Sequence, residues 1–408
     1  MKIHNIQVLD RRFPLKDGAG SDATHTSPQY AYAVCKLKTG TPMEGVGLAF
    51  TLGSGNELVC QAIEFLSTFV VGREIEELMA DFGNTYRKMV DAPSFRWLGP
   101  HKGVVHLALA AVVNGCYDLW AKSRQVPLWQ LLLDLTPEQL VNTLDLSYLE
   151  EVLSREQAIG ILTENNATRN LRSAVLSTGY RGYDTSVGWF NFSDEKIVEN
   201  TKKAIEKGFT ALKLKVGSED PLRDVRRAKL IRQAAGDEVT IMVDANQKWN
   251  LPQALDICQR LGEVNPFWIE EPTHPDDVIG HQTIAKAIAP LKVATGEHIP
   301  NKIIFKNFLQ AKAMDFCQVD AVRVGGISEF LTISLLSKQM GIPVVPHVGD
   351  MGQIHQHLVL FNHIGMNHQH LFLEHIPHLR EYFVNPAIIT DAYYQVPQTP
   401  GSSSDLLD

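Results

Sequence analysis

Between about residue 180 and residue 375, one device recurs eight times: a short apolar run closed by a polar or charged residue. The runs are GYDTSVGW, ALKLKVG, VTIMVDAN, PFWIEEP, LKVATGEH, MDFCQVDA, IPVVPHVG and LFLEH. One polar residue from each gives Asp184, Lys213, Asp244, Glu270, Glu297, Asp320, His347 and Glu374. They are separated by 29, 31, 26, 27, 23, 27 and 27 residues. A strand, a helix and two loops need roughly that length. The stretches between the runs supply helical patterns, as in 194–208 and 331–341. Eight such units close a parallel (β/α)8 TIM barrel, whose strands are buried on both sides and whose chemistry sits at the strand C-termini. A doubly wound open sheet is the rival, but neither GxGxxG nor GxxxxGK[ST] occurs.

The rest of the chain bounds the answer. At 408 residues it exceeds one ordinary domain. Residues 1–50 read as a β-meander, followed by helical patterns over 57–71, 75–90 and 101–123. The link KDGAGSDATHTSPQ (16–29) has the composition of a mobile loop. The segment 136–178 is polar and irregular. The division is an α+β capping part over 1–140, a connection or insertion over 141–180, the barrel over 181–375, and a final segment, 376–408. A net charge of −8 gives no encouragement to nucleic-acid or anionic-membrane binding. The N-terminus lacks a signal peptide's apolar core, and no run of about 18 apolar residues suggests a membrane span. The five cysteines form no CxxC and read as reduced thiols, which implies a cytoplasmic protein.

Asp244, Glu270 and Glu297 end three consecutive units, so a barrel brings three carboxylates together. Their repulsion calls for a hard divalent cation, and an all-oxygen set suits Mg²⁺. Glu271 follows Glu270 directly; strand alternation sends it to the opposite side, into a structural pairing. Lys213 and Lys215, two apart, share one face and point inward. Burial and mutual repulsion are expected to lower a lysine pKa and make it a usable base. His347 ends a strand across the barrel, with Asp320 one unit earlier to accept its imidazole N–H, fix the tautomer and raise the pKa. The many later histidines read as surface or packing residues. A divalent metal on a substrate carboxylate stabilises the enediolate formed when the α-proton leaves, and bases on opposite faces also provide an acid to expel a leaving group.

With KLKVG, VDANQKW, WIEEPT, ATGEH, QVDAVRVGG and VPH in this order, the chain resembles the mandelate racemase branch of the enolase superfamily. RWLGPHKGVVHLA (96–108), GYDTSVGW (182–189), WIEEPTHPDDVIGH (268–281) and NKIIFKNFLQAKA (301–313) bring it nearest to the L-fuconate dehydratases. The resemblance implies a modified barrel under an α+β cap to which the chain's end returns. It implies Mg²⁺ on Asp244, Glu270 and Glu297, Lys215 as α-proton base with Lys213 beside it, and His347–Asp320 as the acid that protonates the departing 3-hydroxyl. Glu374 would bond the substrate carboxylate or enediolate. Asp22, Trp97, Asn246 and His298 would contribute to substrate binding. The implied activity is Mg²⁺-dependent dehydration of a sugar acid to a 2-keto-3-deoxy acid, with L-fuconate the leading substrate and L-galactonate or D-arabinonate next, in an enzyme that by analogy is often a homo-oligomer. Racemisation or epimerisation of a 2-hydroxy acid on the same site, and a non-catalytic sugar-acid-binding protein, are the alternatives. After His347 the chain reads VPHVGDMGQIHQHL, a departure from the glycine-rich run usual in the dehydratases.

Overall fold

The computed structural model describes residues 1–15 and 18–407. The N-terminal meander forms an antiparallel sheet of three strands, β1 (Ile3–Pro14), β2 (Gln29–Thr39) and β3 (Glu44–Thr51), in that order. Five helices follow: α1 (Asn56–Ser67), α2 (Ile75–Ala80), α3 (Phe82–Val90), α4 (Pro93–Arg96) and α5 (Gly103–Ser123). The helix expected over 75–90 is two helices, because Asp81 takes a non-helical conformation (φ −139°, ψ 42°) between them. The α5 helix lies against β3 so closely that a Cβ on Gly47 would stand 1.8 Å from the Ala111 carbonyl oxygen. Only glycine permits that approach. By length and composition α5 could cross a membrane, but 83% of its apolar window is buried within the protein, so core packing accounts for its character.

Residues 136–178 are helical in pieces, including Pro137–Asn142 and Arg155–Asn166. Thr136 and Ser154 start these two with reciprocal capping boxes. Then the parallel strands begin: β4 (Tyr180–Gly188), β5 (Ala211–Lys215), β6 (Thr240–Asp244), β7 (Ile269–Glu270), β8 (Val293–Thr295) and β9 (Phe316–Cys317), each hydrogen-bonded to the next. On the other side of β4 lies β10 (Phe372–His375), also parallel. The expected IPVVPHVG strand is reduced to a single parallel bridge, Cys317 to Val344. Pro343 and Pro346 flank that point, and neither has an N–H to give to a ladder. Below the strand ends, Tyr183, Ala211, Met242, Trp268, Ala294, Phe316 and Val345 form one apolar cluster, with Phe372 packed against it.

Two terminal features complete the frame. A hairpin of β11 (Ile389–Thr390) and β12 (Tyr393–Tyr394) pairs antiparallel with the start of β4. The chain then returns to the N-terminal elements: the Ser402 N–H donates to Asp118 at 2.7 Å, Lys122 pairs with Asp405 at 2.8 Å, and Arg11 donates to the Leu407 carbonyl at 2.7 Å. Of the link read as a mobile loop, residues 16 and 17 lie outside the described residues. From residue 18 the link is fastened over the strand ends. The Phe190 N–H donates to the Ser21 carbonyl and the Asn191 N–H to Ser21 Oγ, both at 3.0 Å, and Thr24 Oγ1 donates to the Asn246 carbonyl at 3.0 Å.

Candidate active site

The C-terminal ends of β6, β7 and β8 carry Asp244, Glu270 and Glu297, all buried. Each offers one carboxylate oxygen within 4.8 Å of the others. Asp244 accepts the Asn246 N–H at 2.9 Å and Lys215 Nζ at 2.5 Å. Glu270 accepts Lys213 Nζ at 2.7 Å and the indole N–H of Trp268 at 3.0 Å. The buried Trp268 therefore both fills the core and orients the acid two residues later. Among the described residues, Glu297 Oε2 and Glu374 Oε2 are buried with no hydrogen-bond donor. Three clustered carboxylates with an orphaned oxygen fit a hard divalent cation better than any organic group.

Glu271 departs from the alternation argument. The strand stops at Glu270, and Glu271 adopts φ 43°, in the left-handed region. Its carboxylate turns back to the site, accepting from Gln247 Nε2 at 2.8 Å and lying 2.9 Å from His298 Nδ1. His298 Nδ1 also lies 3.2 Å from Glu297. His298 thus links Glu271 to a carboxylate of the cluster and still lines the cleft.

Lys213 is fully buried and spans Glu270 and Glu374, at 2.7 and 2.8 Å. The expectation of a lowered lysine pKa is not met. Burial opposes the charge on both lysines, and Lys213 pushes Lys215 down, but the carboxylates win. Glu270 and Glu374 hold Lys213 well above its ordinary value; Asp244, then Glu297 and Asp22, do the same for Lys215. Conversely, burial and the Asp244 charge push Glu270 up to about 8. Burial also opposes charge on Glu297, but His347, His298 and Lys215 hold it well below the carboxylate range.

Across the cleft, His347 Nδ1 meets Asp320 Oδ2 at 2.6 Å, and its Nε2 lies 3.4 Å from Glu297 Oε2. Burial lowers the imidazole pKa, but Glu297 and Asp320 outweigh it and bring it to about 9. Asp22, in the link, accepts the N–H groups of Thr24 and His25 and faces His25 Nδ1 at 3.0 Å. Asn246 has φ 44°, a conformation its short polar side chain tolerates, and its Oδ1 is buried without a donor.

Part of this set lines one cleft, with ≈ 490 Å³ of empty space that includes open solvent, while Lys213, Asp244, Glu270, Glu271 and Asp320 stand behind its lining. Asp22, Lys215, Asn246, Glu297, His298, His347 and Glu374 all face it. Trp97 does not: it is 96% exposed, beyond the short α4 helix, so its assignment to substrate binding is corrected. His25, Tyr30, Trp189 and Arg323 line the cleft without having been singled out from the sequence. Arg323 lies within the QVDAVRVGG motif, Trp189 ends GYDTSVGW and His25 lies in the link 16–29, so all three were inside quoted runs; Tyr30, the residue after that link, was read only as part of the meander over 1–50. A larger groove, lined by Ala285, Leu309 and Met314, shares no lining residue with the cleft and holds none of the clustered carboxylates. Of the later histidines read as surface or packing residues, His355 and His357 are both buried, His355 against Asp350 at 2.6 Å and His357 against Ser403 at 3.1 Å.

The family model described as "Enolase C-terminal domain-like" matches residues 196–407. The chain is 41% identical to human mitochondrial enolase superfamily member 1, over 99% of this chain and 94% of that protein. The crystal structure of that human protein superposes with a TM-score of 0.97, covering 100% of this chain and 94% of the other. Identity to the L-galactonate dehydratase of Hypocrea jecorina is 38%, over 99% of this chain and 92% of the relative. The L-talarate/galactarate dehydratase of Salmonella typhimurium LT2, solved with Mg and L-lyxarohydroxamate, shares the fold with a TM-score of 0.78 at 24% identity, covering 99% of this chain and 90% of that one.

Proposed function

Because the chain belongs to the enolase superfamily, we propose that it is a Mg²⁺-dependent sugar-acid dehydratase acting on a monoacid such as L-fuconate or L-galactonate. The carrying observation is the convergence of three carboxylates, Asp244, Glu270 and Glu297, flanked by Lys215 on one side and His347–Asp320 on the other. The apolar cluster drawing one residue from each of β4, β5, β6, β8 and β9 and Trp268 from just before β7, with Val345 and Phe372 completing the circuit, supports a closed, modified barrel beneath this site. The N-terminal α+β part, to which the chain's end returns, acts as its cap.

When held by Asp244, Glu270 and Glu297, Mg²⁺ supplies positive charge for the substrate carboxylate and offsets the pull that keeps Lys215 protonated. Lys215 Nζ takes the proton from the α-carbon. His347 Nε2, with Nδ1 fixed by Asp320, gives a proton to the 3-hydroxyl, which departs as water. Lys213 balances Glu270 and Glu374 and holds the latter toward the reacting carboxylate. The resulting enol takes a proton at the new methylene carbon, releases the proton of its 2-hydroxyl to solvent, and becomes the 2-keto-3-deoxy acid.

L-fuconate is L-galactonate without its terminal hydroxyl, so the L-galactonate dehydratase relative supports the same stereochemical class. The five free thiols support a reducing compartment such as the cytoplasm. The experiment is a library of mono- and diacid sugars with Mg²⁺, with 2-keto-3-deoxy products detected by semicarbazide. Turnover confined to galacto-configured monoacids supports the substrate; turnover of another acid moves the specificity and keeps the reaction. Tight binding without turnover across the library contradicts the dehydratase reading.

A further inference from the structure

Behind His347, the series of polar contacts does not stop at Asp320: it continues to His355 as a charge contact rather than a hydrogen bond. His347 Nδ1 meets Asp320 Oδ2 at 2.6 Å, and the Gly349 N–H donates to the same oxygen at 2.8 Å. The other oxygen, Oδ1, accepts the Val322 N–H at 2.8 Å and faces His355 Nε2 at 3.3 Å. The Ala321 N–H also points at that nitrogen, from 2.9 Å. The far side of the His355 ring meets Asp350 Oδ1 at 2.6 Å. Asp350 is itself pinned by the N–H groups of Gly352 at 3.0 Å and Ile354 at 2.5 Å. Asp320, Asp350 and His355 are all 0% exposed.

An alternating His–Asp–His–Asp series therefore runs from the cleft into the core. Packing alone does not require it. Asp350 ties the turn before the helix His355–Met366 by accepting the Gly352 and Ile354 N–H groups, but that tie needs no histidine beyond it. Apolar residues of similar volume commonly match or exceed the stability of buried ionic pairs. The Phe330 ring packs edge-on to His355 at 5.9 Å, so the imidazole has one fixed plane.

We propose that Asp350 and His355 are positioning residues that lock the Asp320 carboxylate in the orientation that aims His347 Nε2 into the cleft. The inference rests on the dehydratase reading, in which His347 acts on the departing hydroxyl while Lys215 acts on the α-proton. The pair should then govern elimination and leave proton abstraction alone. Buried partners that orient a working ligand or base commonly matter by 10–100-fold.

The test uses the full-length Mg²⁺-loaded enzyme with Asp350→Asn and, separately, His355→Gln. Elimination is followed with semicarbazide, and α-proton exchange in ²H₂O by NMR on recovered substrate. Elimination is expected to fall about tenfold or more in both variants, with exchange held within about twofold, both assayed below the melting temperature of each variant, which losing a buried partner lowers. Unchanged elimination overturns the inference and leaves the dehydratase reading intact. A parallel fall of exchange and elimination also overturns it, by making the pair a general support of the fold. A parent enzyme that eliminates no sugar acid overturns both.

Discussion

Lys213→Met tests the electrostatic frame of the site. The substitution keeps much of the side chain's length and removes only the charge that Glu270 and Glu374 share at 2.7 and 2.8 Å. Removing one partner of a buried pair commonly costs about 3–5 kcal/mol, because the charge left behind has no water to turn to. Here the cost is softened by proton uptake. Glu270 already sits at about 8, and without Lys213 it rises further, so it enters neutral solution protonated. The full loss of about 3 kcal/mol or more is therefore expected only near pH 8.5, with a smaller loss near pH 5.5. A divalent cation compensates the same carboxylates, so Mg²⁺ should stabilise the variant more than the parent. Urea unfolding at both pH values, with EDTA and then with Mg²⁺, reads all three effects. A loss below about 1 kcal/mol at both pH values refutes the frame, as does an equal Mg²⁺ response in variant and parent.

Three further outcomes follow from the same geometry. Lys215→Ala should abolish α-proton exchange, a loss of about 10²-fold or more, while calorimetry still records Mg²⁺ binding; His347→Asn should block elimination and retain exchange. Exchange at the native rate in the first variant, or native elimination in the second, rejects those roles. The metal-stripped protein should lose stability as pH rises from about 6.5 to about 9, above the range in which the buried His357, His368, His375 and His378, held low by burial, contribute with the opposite sign. Glu270 and His347 both have raised folded-state values, about 8 and about 9, so their stabilisation is complete below their unfolded values and drains as pH climbs through the folded ones. The depressed carboxylates Glu297 and Asp320 are already ionised throughout that window; a rise in the urea midpoint across it contradicts the assignment. Trp97→Ala should change stability by less than about 0.5 kcal/mol and leave turnover untouched, which activity and melting measurements check together.

The strand-end polar residues were legible because a recurring spacing of apolar runs places their closing residues side by side at one end of the strands. Asp244, Glu270, Glu297 and His347 could be grouped without any contact information. The structural pairing expected of Glu271 is met by Gln247 and His298, but the side to which it turns was misread because alternation holds only inside a strand, and β7 ends one residue earlier in a left-handed turn. The lysine pKa values were misread for a different reason. Lys213 and Lys215 are two apart in sequence, whereas the carboxylates that outweigh their repulsion arrive from distant segments, so the local pattern showed only the repulsive half. The IPVVPHVG run looked like a strand by composition, but its two prolines reduce the pairing to one bridge. Trp97 lay in a motif window rather than on a face defined by periodicity, and the fold leaves it in solvent. His355 read only as one of many surface or packing histidines and Asp350 was not singled out; the return of that helix beside Asp320 is what gives them a partner.

The central claim is that one face of the cleft removes an α-proton and the other expels a hydroxyl. Its most direct test is the turnover of L-fuconate or L-galactonate in ²H₂O with Mg²⁺, followed by proton NMR. The account predicts a 2-keto-3-deoxy acid carrying one deuterium at the new methylene carbon, with no product once the metal is chelated. Recovery of the inverted epimer with deuterium at the α-carbon, and no loss of water, would contradict it and make the protein an epimerase.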